Sequence, residues 1–353
     1  MRLLYDKVYE QICKVDFESL WDGLHAYHFA LYTNDKVYLK NKTIDYEECF
    51  LGNTTIKYDD EQIARWKIDD YTKEDPVILA ANMVHEMFHA YQYELGEKRF
   101  PNDLKALDYP VSLENILLKY AENQLIIKAV KENDKKKVKE YLSDLIASRK
   151  RRKEIIKEHI DYEYCIETVE GMAEYVGFRA LEQLDAEKYG NKINKYIENL
   201  SDTSAVLFDN RRLSYFSGAL LLLALHKADI PFHHDIAKES QTVYELVSEN
   251  ISCGALPIYT CKDTIDTSLK DYLVNKQKLF SEFFDKKPVC TENSFTICGY
   301  DPMNMVKLDN HIWCKYFIML KEKAKDAPLL INGPVVVKID KSDSYKVSAY
   351  YTF

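Results

Sequence analysis

Glycine and proline are scarce in this sequence, with 10 and 9 occurrences among 353 residues. So low a content argues against a disordered chain and against a glycine-rich nucleotide-binding loop. Neither a dinucleotide-binding fingerprint nor a P-loop occurs, and no apolar run reaches the length of a membrane span. With 46% hydrophobic residues, the chain is predicted to bury a sizeable core, and we expect no membrane partner.

The sequence has no closely spaced Cys-x-x-Cys pair and no recognisable export signal. The eight cysteines include no Cys-x-x-Cys motif, which argues against a structural zinc ribbon. Cys253/Cys261 and Cys290/Cys298 have spacings that a disulfide could bridge, but in a chain of this size we expect buried free thiols. Charged residues stand where a signal peptide would be apolar, so we expect a cytoplasmic protein unless an export signal was removed.

Excess positive charge is missing as well. The formal charge is −9 at pH 7, which gives no general attraction to nucleic acid. The most basic run is Arg149–Lys153, and acidic residues flank it. We expect this run to be a solvated helix face. Nucleic-acid or phosphate binding through it is the alternative, and it would show a steep dependence on salt.

The strongest chemical signal lies in the stretch from Pro76 to Gly96. Asp75 is a good N-cap, the proline after it suits the first helical position, and the glycine suits the end of a helix. Most positions between them are apolar, so we expect a buried helix. The polar residues His85, Glu86 and His89 within it need partners, because burying unpaired polar groups costs free energy.

His85 and His89 are four residues apart, so a helix places both imidazoles on one face, one turn apart. Both can bind the same cation, and Glu86 lies near that cation without ligating it. Zinc accepts neutral imidazole nitrogen, and a catalytic zinc site has three protein ligands and an open position for water. The spacing therefore predicts a zinc site with Glu86 as candidate base; two unrelated core histidines are the alternative.

The helical segment Cys165–Gly177 is predicted to supply the third ligand. It presents Glu167, Glu170 and Glu174 on one side in an otherwise apolar setting. A carboxylate from a second helix is a common third zinc ligand. We choose Glu170 because small residues flank it and allow a close approach, and we expect Glu174 to accept a hydrogen bond from an imidazole N–H. A row of surface glutamates is the alternative.

The pattern His85-Glu86-x-x-His89, followed by Glu170-Gly171-Met172-Ala173-Glu174-Tyr175, resembles the zincin-like zinc metallopeptidases of the gluzincin type. In that clan two histidines and a glutamate from a later helix bind zinc, and the glutamate of the first motif is the general base. The resemblance covers roughly residues 60–225 and implies a peptide or protein substrate. The Gly-x-Met-Glu-Asn segment of the aminopeptidase branch is absent, so the resemblance does not extend to exopeptidase action.

The resemblance also implies a group beside the metal that stabilises an oxyanion. Similar enzymes supply a tyrosine from a later helix, and Tyr215 is our first choice, with Arg212 second. A packing role for Tyr215 is the alternative. The spacing of His226, His233 and His234 does not support metal binding, and we expect surface or capping positions for them.

Hydrophobic periodicity predicts an α+β fold that is mostly helical. Residues 1–30 have a helical period, and from residue 36 a period of two predicts a small sheet directly before the histidine-bearing helix. Zinc peptidases commonly hold an extended substrate at an edge strand. Ile63–Ile68 is our candidate for that edge, and an interior strand is the alternative.

The predicted zincin-like metallopeptidase core spans residues 1–288, with a helical insertion at about 111–158. Two later helices are expected near 236–249 and 269–284. The buried stripe of the second one is predicted to be Leu273, Leu279, Phe280 and Phe283. Beyond these helices, β-branched and aromatic runs predict a small β-rich subdomain over 289–353, which could line one end of the cleft.

These residues together predict a hydrolase, a zinc-dependent metallopeptidase. Zinc bound by His85, His89 and Glu170 would activate water, and Glu86 would take its proton. The alternative is a binding or structural protein that keeps a zinc site without catalysis.

Overall fold

The protein is α+β, with about 50% helix and 19% strand in two sheets, as the sequence predicts. A computed structural model describes residues 1–232, 235–323, 325 and 327–353. In these described residues, no helix combines the length and the apolar composition needed to cross a bilayer.

The α-helices are α1 (Arg2–Ile12), α2 (Phe17–Leu20), α3 (Pro76–Glu94), α4 (Asp103–Ala106), α5 (Leu113–Lys131), α6 (Lys135–Ile156), α7 (His159–Leu184), α8 (Ala186–Ser201), α9 (Asn210–Lys227), α10 (Val243–Asn250) and α11 (Lys262–Asp285). A 3₁₀ turn at Ala205–Phe208 precedes α9. The strands are β1 (His28–Tyr32), β2 (Lys36–Tyr38), β3 (Thr43–Asp45), β4 (Thr54–Tyr58), β5 (Glu61–Lys67), β6 (Val289–Tyr300), β7 (Met305–Leu308), β8 (His311–Cys314), β9 (Phe317–Glu322), β10 (Leu329–Asn332), β11 (Val335–Ile339) and β12 (Lys346–Thr352).

The first sheet precedes α3, as predicted, but its order corrects the choice of edge strand. Within the described residues the order is β3-β2-β1-β5-β4, so Ile63–Ile68 belongs to an interior strand and β4 is an edge. The prediction fails because the helical period assigned to residues 1–30 extends into β1, which pairs with β5. Four of the five β1 residues are buried, and a short apolar run has no period that separates strand from helix. β1 pairs in parallel with β5, from His28 opposite Ile63 to Tyr32 opposite Lys67.

Helix α3 forms as the sequence predicts and lies in the centre of the molecule. The Asp75 carboxylate accepts hydrogen bonds from the N–H groups of Val77 and Ile78, which satisfies two of the free donors at the helix start. The helix packs on α1 and β5 and against α7 on another side. Nearly all residues of this helix from Leu79 to Gln92 are buried, so its polar side chains lie inside the protein.

Helices α7 and α9 pack with their backbones in contact because glycines face each other. A Cβ built on Gly171 would lie 2.8 Å from the Cα of Gly218, and one built on Gly218 would lie 2.9 Å from the Cα of Glu167. A third glycine, Gly177, lets α7 approach α3, since its Cβ would lie 3.3 Å from the Cβ of His85. The close approach expected from the small residues of this segment is therefore present.

The basic run of α6 is not a solvated face, and that prediction is wrong for two of its residues. Arg149 and Arg152 are 1% and 0% exposed. Arg149 Nη2 lies 2.6 Å from Glu167 Oε1, and Arg152 Nη1 lies 2.8 Å from Glu122 Oε2. A third buried pair joins Lys119 to Glu163, which also contacts Arg152. The carboxylates that compensate the run come from α5 and α7, distant in sequence, so the local pattern could not reveal them.

The second sheet is antiparallel and contains β6 to β12, all within the stretch predicted to be β-rich. Its order in the described residues is β10-β9-β6-β12-β11-β8-β7. One face encloses an apolar cluster that includes Leu104 of α4, and the opposite face packs on α11 through Phe280 and Phe283. Of the other two residues predicted in the buried stripe of that helix, Leu273 is exposed and Leu279 is only partly buried.

Two other sequence-based expectations are corrected. The helix expected at 236–249 begins only at Val243. Thr242 and Glu245 form a capping box there, and this local start signal is not visible in the hydrophobic periodicity. All eight cysteines are free, but Cys314 alone is buried, so the prediction of buried thiols is wrong.

We predict that Arg152→Met lowers the free energy of unfolding by about 3–5 kcal/mol, because it leaves Glu122 and Glu163 buried without one of their cations. The matched control is Arg151→Met, next in sequence but 41% exposed, whose pairs with Glu114 and Glu154 are worth about 0–1 kcal/mol. Urea denaturation of both variants makes the comparison. Equal losses would mean that the buried network contributes no more than a surface ion pair.

We predict that Gly218→Ala destabilises the protein by about 1–3 kcal/mol, because its methyl group would overlap backbone atoms of α7. Gly190→Ala is the control, since a Cβ there meets nothing within 4 Å and the change should stabilise α8 by about 0.5–1 kcal/mol. Thermal unfolding should therefore shift in opposite directions for the two variants, and a shift of the same sign would contradict the packing.

Candidate metal centre

The structure brings the three predicted ligands together between α3 and α7. His89 Nε2 lies 3.1 Å from His85 Nε2 and 3.0 Å from Glu170 Oε2. The remaining separation, from His85 Nε2 to Glu170 Oε2, is 3.9 Å. All three side chains are largely buried, and one ligand atom from each lies within 4.8 Å of the others. Two imidazoles and one carboxylate therefore converge on a single point.

These separations fit one zinc ion. Three ligand atoms held about 2.0–2.2 Å from a zinc ion at tetrahedral angles lie about 3.3–3.6 Å from each other. The observed 3.0, 3.1 and 3.9 Å lie around that range. Two neutral imidazole nitrogens 3.1 Å apart also repel through their lone pairs unless a proton or a cation lies between them. Nitrogen and oxygen donors of this kind suit zinc better than calcium or magnesium.

The orientation of His89 is fixed by a residue that the sequence argument missed. His89 Nδ1 lies 2.7 Å from Gln92 Oε1, and the Gln92 amide nitrogen donates to the Val169 carbonyl oxygen at 3.0 Å. Because Gln92 Oε1 must then accept, Nδ1 carries hydrogen and Nε2 is left to face the site. Gln92 follows His89 by three residues on the same helix, a spacing that brings two side chains together and could have identified Gln92 as its partner.

Glu174 lies beside His85, where the sequence predicts a carboxylate. Its Oε1 is 3.4 Å from His85 Nδ1, although the angle is outside hydrogen-bonding geometry. Its Oε2 accepts from the Tyr196 hydroxyl at 2.7 Å and pairs with Lys192 at 3.2 Å. These contacts from α8 hold Glu174 in place next to the imidazole.

The ligands carry different charges in this environment. Burial lowers the pKa of His85 to about 4, so its imidazole is neutral at pH 7. Burial also acts to lower the pKa of His89, but the Glu170 carboxylate outweighs it and raises the pKa to about 9. Burial would raise the pKa of Glu170, yet His89 and Arg211 hold it at about 2. Glu170 is thus anionic, and His89 bears one proton that a metal ion would replace.

Glu86 is buried near the same groups, because its carboxyl group interacts electrostatically with His89, Glu170 and Glu174. Its residue is 5% exposed, and within the described part of the chain its carboxylate forms no hydrogen bond. Burial raises the pKa of Glu86 to about 8; His89 opposes the shift, and the carboxylates of Glu170 and Glu174 add to it. A carboxyl group poised near neutral pH can both take and give a proton.

Helix α9 contributes two groups next to Glu170. Arg211 Nη2 lies 3.2 Å from Glu170 Oε1 and 3.5 Å from the Tyr215 hydroxyl. Burial, helped by Glu170, raises the pKa of Tyr215 well above its usual value, so the hydroxyl stays protonated and can donate. The predicted second choice, Arg212, is exposed and pairs with Asp209. Arg211 takes its place, and its position one turn before Tyr215 is the signal that could have found it.

Of the other histidines considered as ligands, His226 is exposed on the last turn of α9, as expected. His233 and His234 lie outside the described residues. No protein-family model, curated protein or solved structure matches this chain. The candidate centre is therefore defined by its own geometry.

We predict that Glu170→Gln weakens zinc binding by more than about 100-fold, because it removes the anionic ligand, and that Gln92→Leu weakens it by about 10–100-fold. Glu182→Gln, on the same helix but at the surface, is the control. Competition with a chelator of known affinity measures all three. Zinc affinity that is the same in Glu170→Gln as in the control would remove Glu170 from the ligand set.

We also predict that zinc affinity rises by about tenfold per pH unit between about pH 6 and 9, because one proton must leave His89 before its nitrogen can bind. Below the raised pKa of about 9 the proton competes with the metal, and above it the competition ends. Chelator competition at each pH gives the slope. A flat profile would mean that His89 is already neutral at pH 7.

Proposed function

We propose that this protein is a zinc-dependent peptidase of the zincin-like, gluzincin type, with zinc held by His85, His89 and Glu170. One observation carries the proposal. Three ligand atoms lie within 4.8 Å of one another, and Glu86, a buried carboxyl group that interacts electrostatically with two of these ligands, His89 and Glu170, forms no hydrogen bond in the described residues. A structural zinc site has its positions filled by protein ligands, whereas three ligands with a free base nearby suit hydrolysis.

The first sheet supports a peptide as substrate. β4 ends that sheet, runs antiparallel to β5, and contacts α3, the helix with both histidines. The outer side of an edge strand offers main-chain N–H and C=O groups to an extended peptide. We therefore assign the substrate edge to β4 in place of Ile63–Ile68.

When bound, zinc would supply a Lewis acid that polarises a peptide carbonyl and makes water more acidic. Glu86 would be anionic beside a dication, since a nearby positive charge lowers the pKa of a carboxyl group. It can then accept a proton from water as oxygen adds to the carbonyl carbon, and donate that proton to the amine nitrogen as the C–N bond breaks. Water is consumed, and the proton ends on the leaving amine.

The developing negative charge on the carbonyl oxygen needs donors. Tyr215 keeps its hydroxyl proton because burial and Glu170 raise its pKa, and Arg211 supplies a positive charge at 3.5 Å from that hydroxyl. Both extend from α9, which packs against α7 next to Glu170. We assign Tyr215 as the donor and Arg211 as the group that positions it.

We predict that Glu86→Gln lowers kcat/KM for peptide hydrolysis by about 10²–10⁴-fold, because the amide cannot take a proton from water. Zinc content should stay at the wild-type level, since Glu86 is not a ligand. Glu94→Gln, the same change at an exposed position two turns further along α3, should have wild-type activity.

A pooled peptide library analysed by mass spectrometry provides the substrate, and metal analysis of the same samples gives the zinc content. A zinc-loaded wild-type protein that cleaves no peptide in the library would favour the alternative, a binding or structural protein that keeps the metal without catalysis. Equal cleavage by wild type and Glu86→Gln would remove Glu86 as the base.

A further inference from the structure

A cavity of about 360 Å³ lies between the helices and the second sheet. Its volume is within the range of ligand pockets in proteins. Both sides of the cavity contribute polar and apolar groups. Its walls include Asp103, Tyr162, Arg211, Lys276, Met303 and Trp313. Such a mixture suits a peptide segment with at least one polar side chain.

One side chain joins this cavity to the candidate metal centre. Arg211 lines the cavity, its Nη1 pairs with Asp103, and its Nη2 lies 3.2 Å from Glu170 Oε1. The guanidinium group therefore lies between the cavity and a predicted zinc ligand. A peptide with its scissile bond at the metal would extend past Arg211 into this space.

Most charges in the cavity wall are neutralised within the protein. Asp103 pairs with Arg211 and accepts from the Tyr162 hydroxyl at 2.9 Å. Lys307 lies 2.6 Å from Asp108. A further carboxylate in the wall, that of Asp209, caps α9 by accepting from the backbone N–H of Arg212 at 2.9 Å.

Lys276 is the exception. It is half-buried in the wall, and within the described residues no carboxylate lies within ion-pair distance of its amine. Burial lowers its pKa; Asp108 and Asp309 oppose the shift, and Lys307 adds to it. A partly desolvated ammonium group without a paired anion gains from a ligand that brings one.

We propose that this cavity is a substrate subsite in which Lys276 binds a carboxylate of the peptide, either an acidic side chain or the free C-terminus. The proposal rests on the proposed peptidase function and specifies its substrate class. An apolar side chain in the same place would desolvate Lys276 further without supplying a partner. Discrimination against neutral peptides follows, because a site built for a polar group rejects ligands that leave that group unpaired.

The test uses peptides that differ only in Glu or Gln at successive positions, each as free acid and as C-terminal amide. For wild-type protein we expect kcat/KM to be about tenfold or more higher for the carboxylate member of one pair. A preference at one Glu position identifies an acidic side chain, and a preference for the free acid identifies the C-terminus.

Lys276→Met should reduce that ratio to about one, and Lys276→Glu should reverse it in favour of a Lys-containing peptide. Lys278→Met and Lys278→Glu are the matched controls, because Lys278 lies on the same helix, is exposed and pairs with Glu282. Both should keep the wild-type ratio. Equal ratios for wild type, Lys276→Glu and Lys278→Glu would overturn the subsite while leaving the peptidase function intact.

A binding measurement separates the subsite from catalysis. Trp313 lies in the cavity wall, whereas the other two of the three tryptophans, Trp21 and Trp66, pack in the main core. Titrating the Glu86→Gln protein with the Glu and Gln peptides should change its fluorescence at lower concentration for Glu, and Lys276→Met should abolish the difference. A Lys276-dependent difference without cleavage by wild type would support the subsite and overturn the peptidase; no difference would overturn the subsite.

Discussion

A column of buried carboxylates along α7 is the constraint on which the rest of the structure depends. The four side chains lie on one face of the helix, and five other helices supply the cations that compensate them: Glu163 is paired with Lys119 and Arg152, Glu167 with Arg149, Glu170 with His89 and Arg211, and Glu174 with Lys192. Four uncompensated charges inside a protein would be prohibitive. Helices α3, α5, α6, α8 and α9 must therefore all be placed around α7 in a register that delivers these cations. The candidate metal centre is one position in this column.

The column also explains why a metal ion is chemically compatible with so buried a place. In the protein alone, Glu170 is compensated by the proton on His89, whose pKa it raises to about 9, and by Arg211. A dication that replaces this proton still compensates the buried Glu170 carboxylate. Metal binding therefore exchanges one positive charge for two, and Glu170 keeps a cation beside it. The added charge falls near Glu86, the carboxyl group whose pKa burial raises to about 8. That residue is then the one whose protonation responds most to the metal.

Sequence reasoning succeeded where the signal is local and failed where partners are distant. The helix that begins at Pro76, the i, i+4 pair His85 and His89, and the choice of Glu170 beside Gly171 all follow from short-range spacing, and the structure brings these ligands together. The parallel pairing of β1 with β5 and the burial of Arg152 depend on residues tens of positions away, which no local period reports. Most of the helices and both sheets could thus be predicted, but not their order or the ion pairs between them. Gln92 and Arg211 were missed although their signal is local. Each lies one helical turn from a predicted site residue, Gln92 from His89 and Arg211 from Tyr215.

The short helix α4 links the second sheet to the candidate metal centre. Its first residue, Asp103, pairs with Arg211 beside Glu170, and the next, Leu104, is buried in the apolar cluster of the sheet. Consecutive residues on so short a helix point in different directions, so one of them can be fixed by charge and the other by burial. Moving the sheet would withdraw Leu104 from that cluster or pull Asp103 from Arg211, and either change would disturb the guanidinium group next to a predicted ligand. The cavity between the sheet and the helices is therefore held at a fixed distance from the candidate metal centre, a condition that the proposed peptide subsite requires.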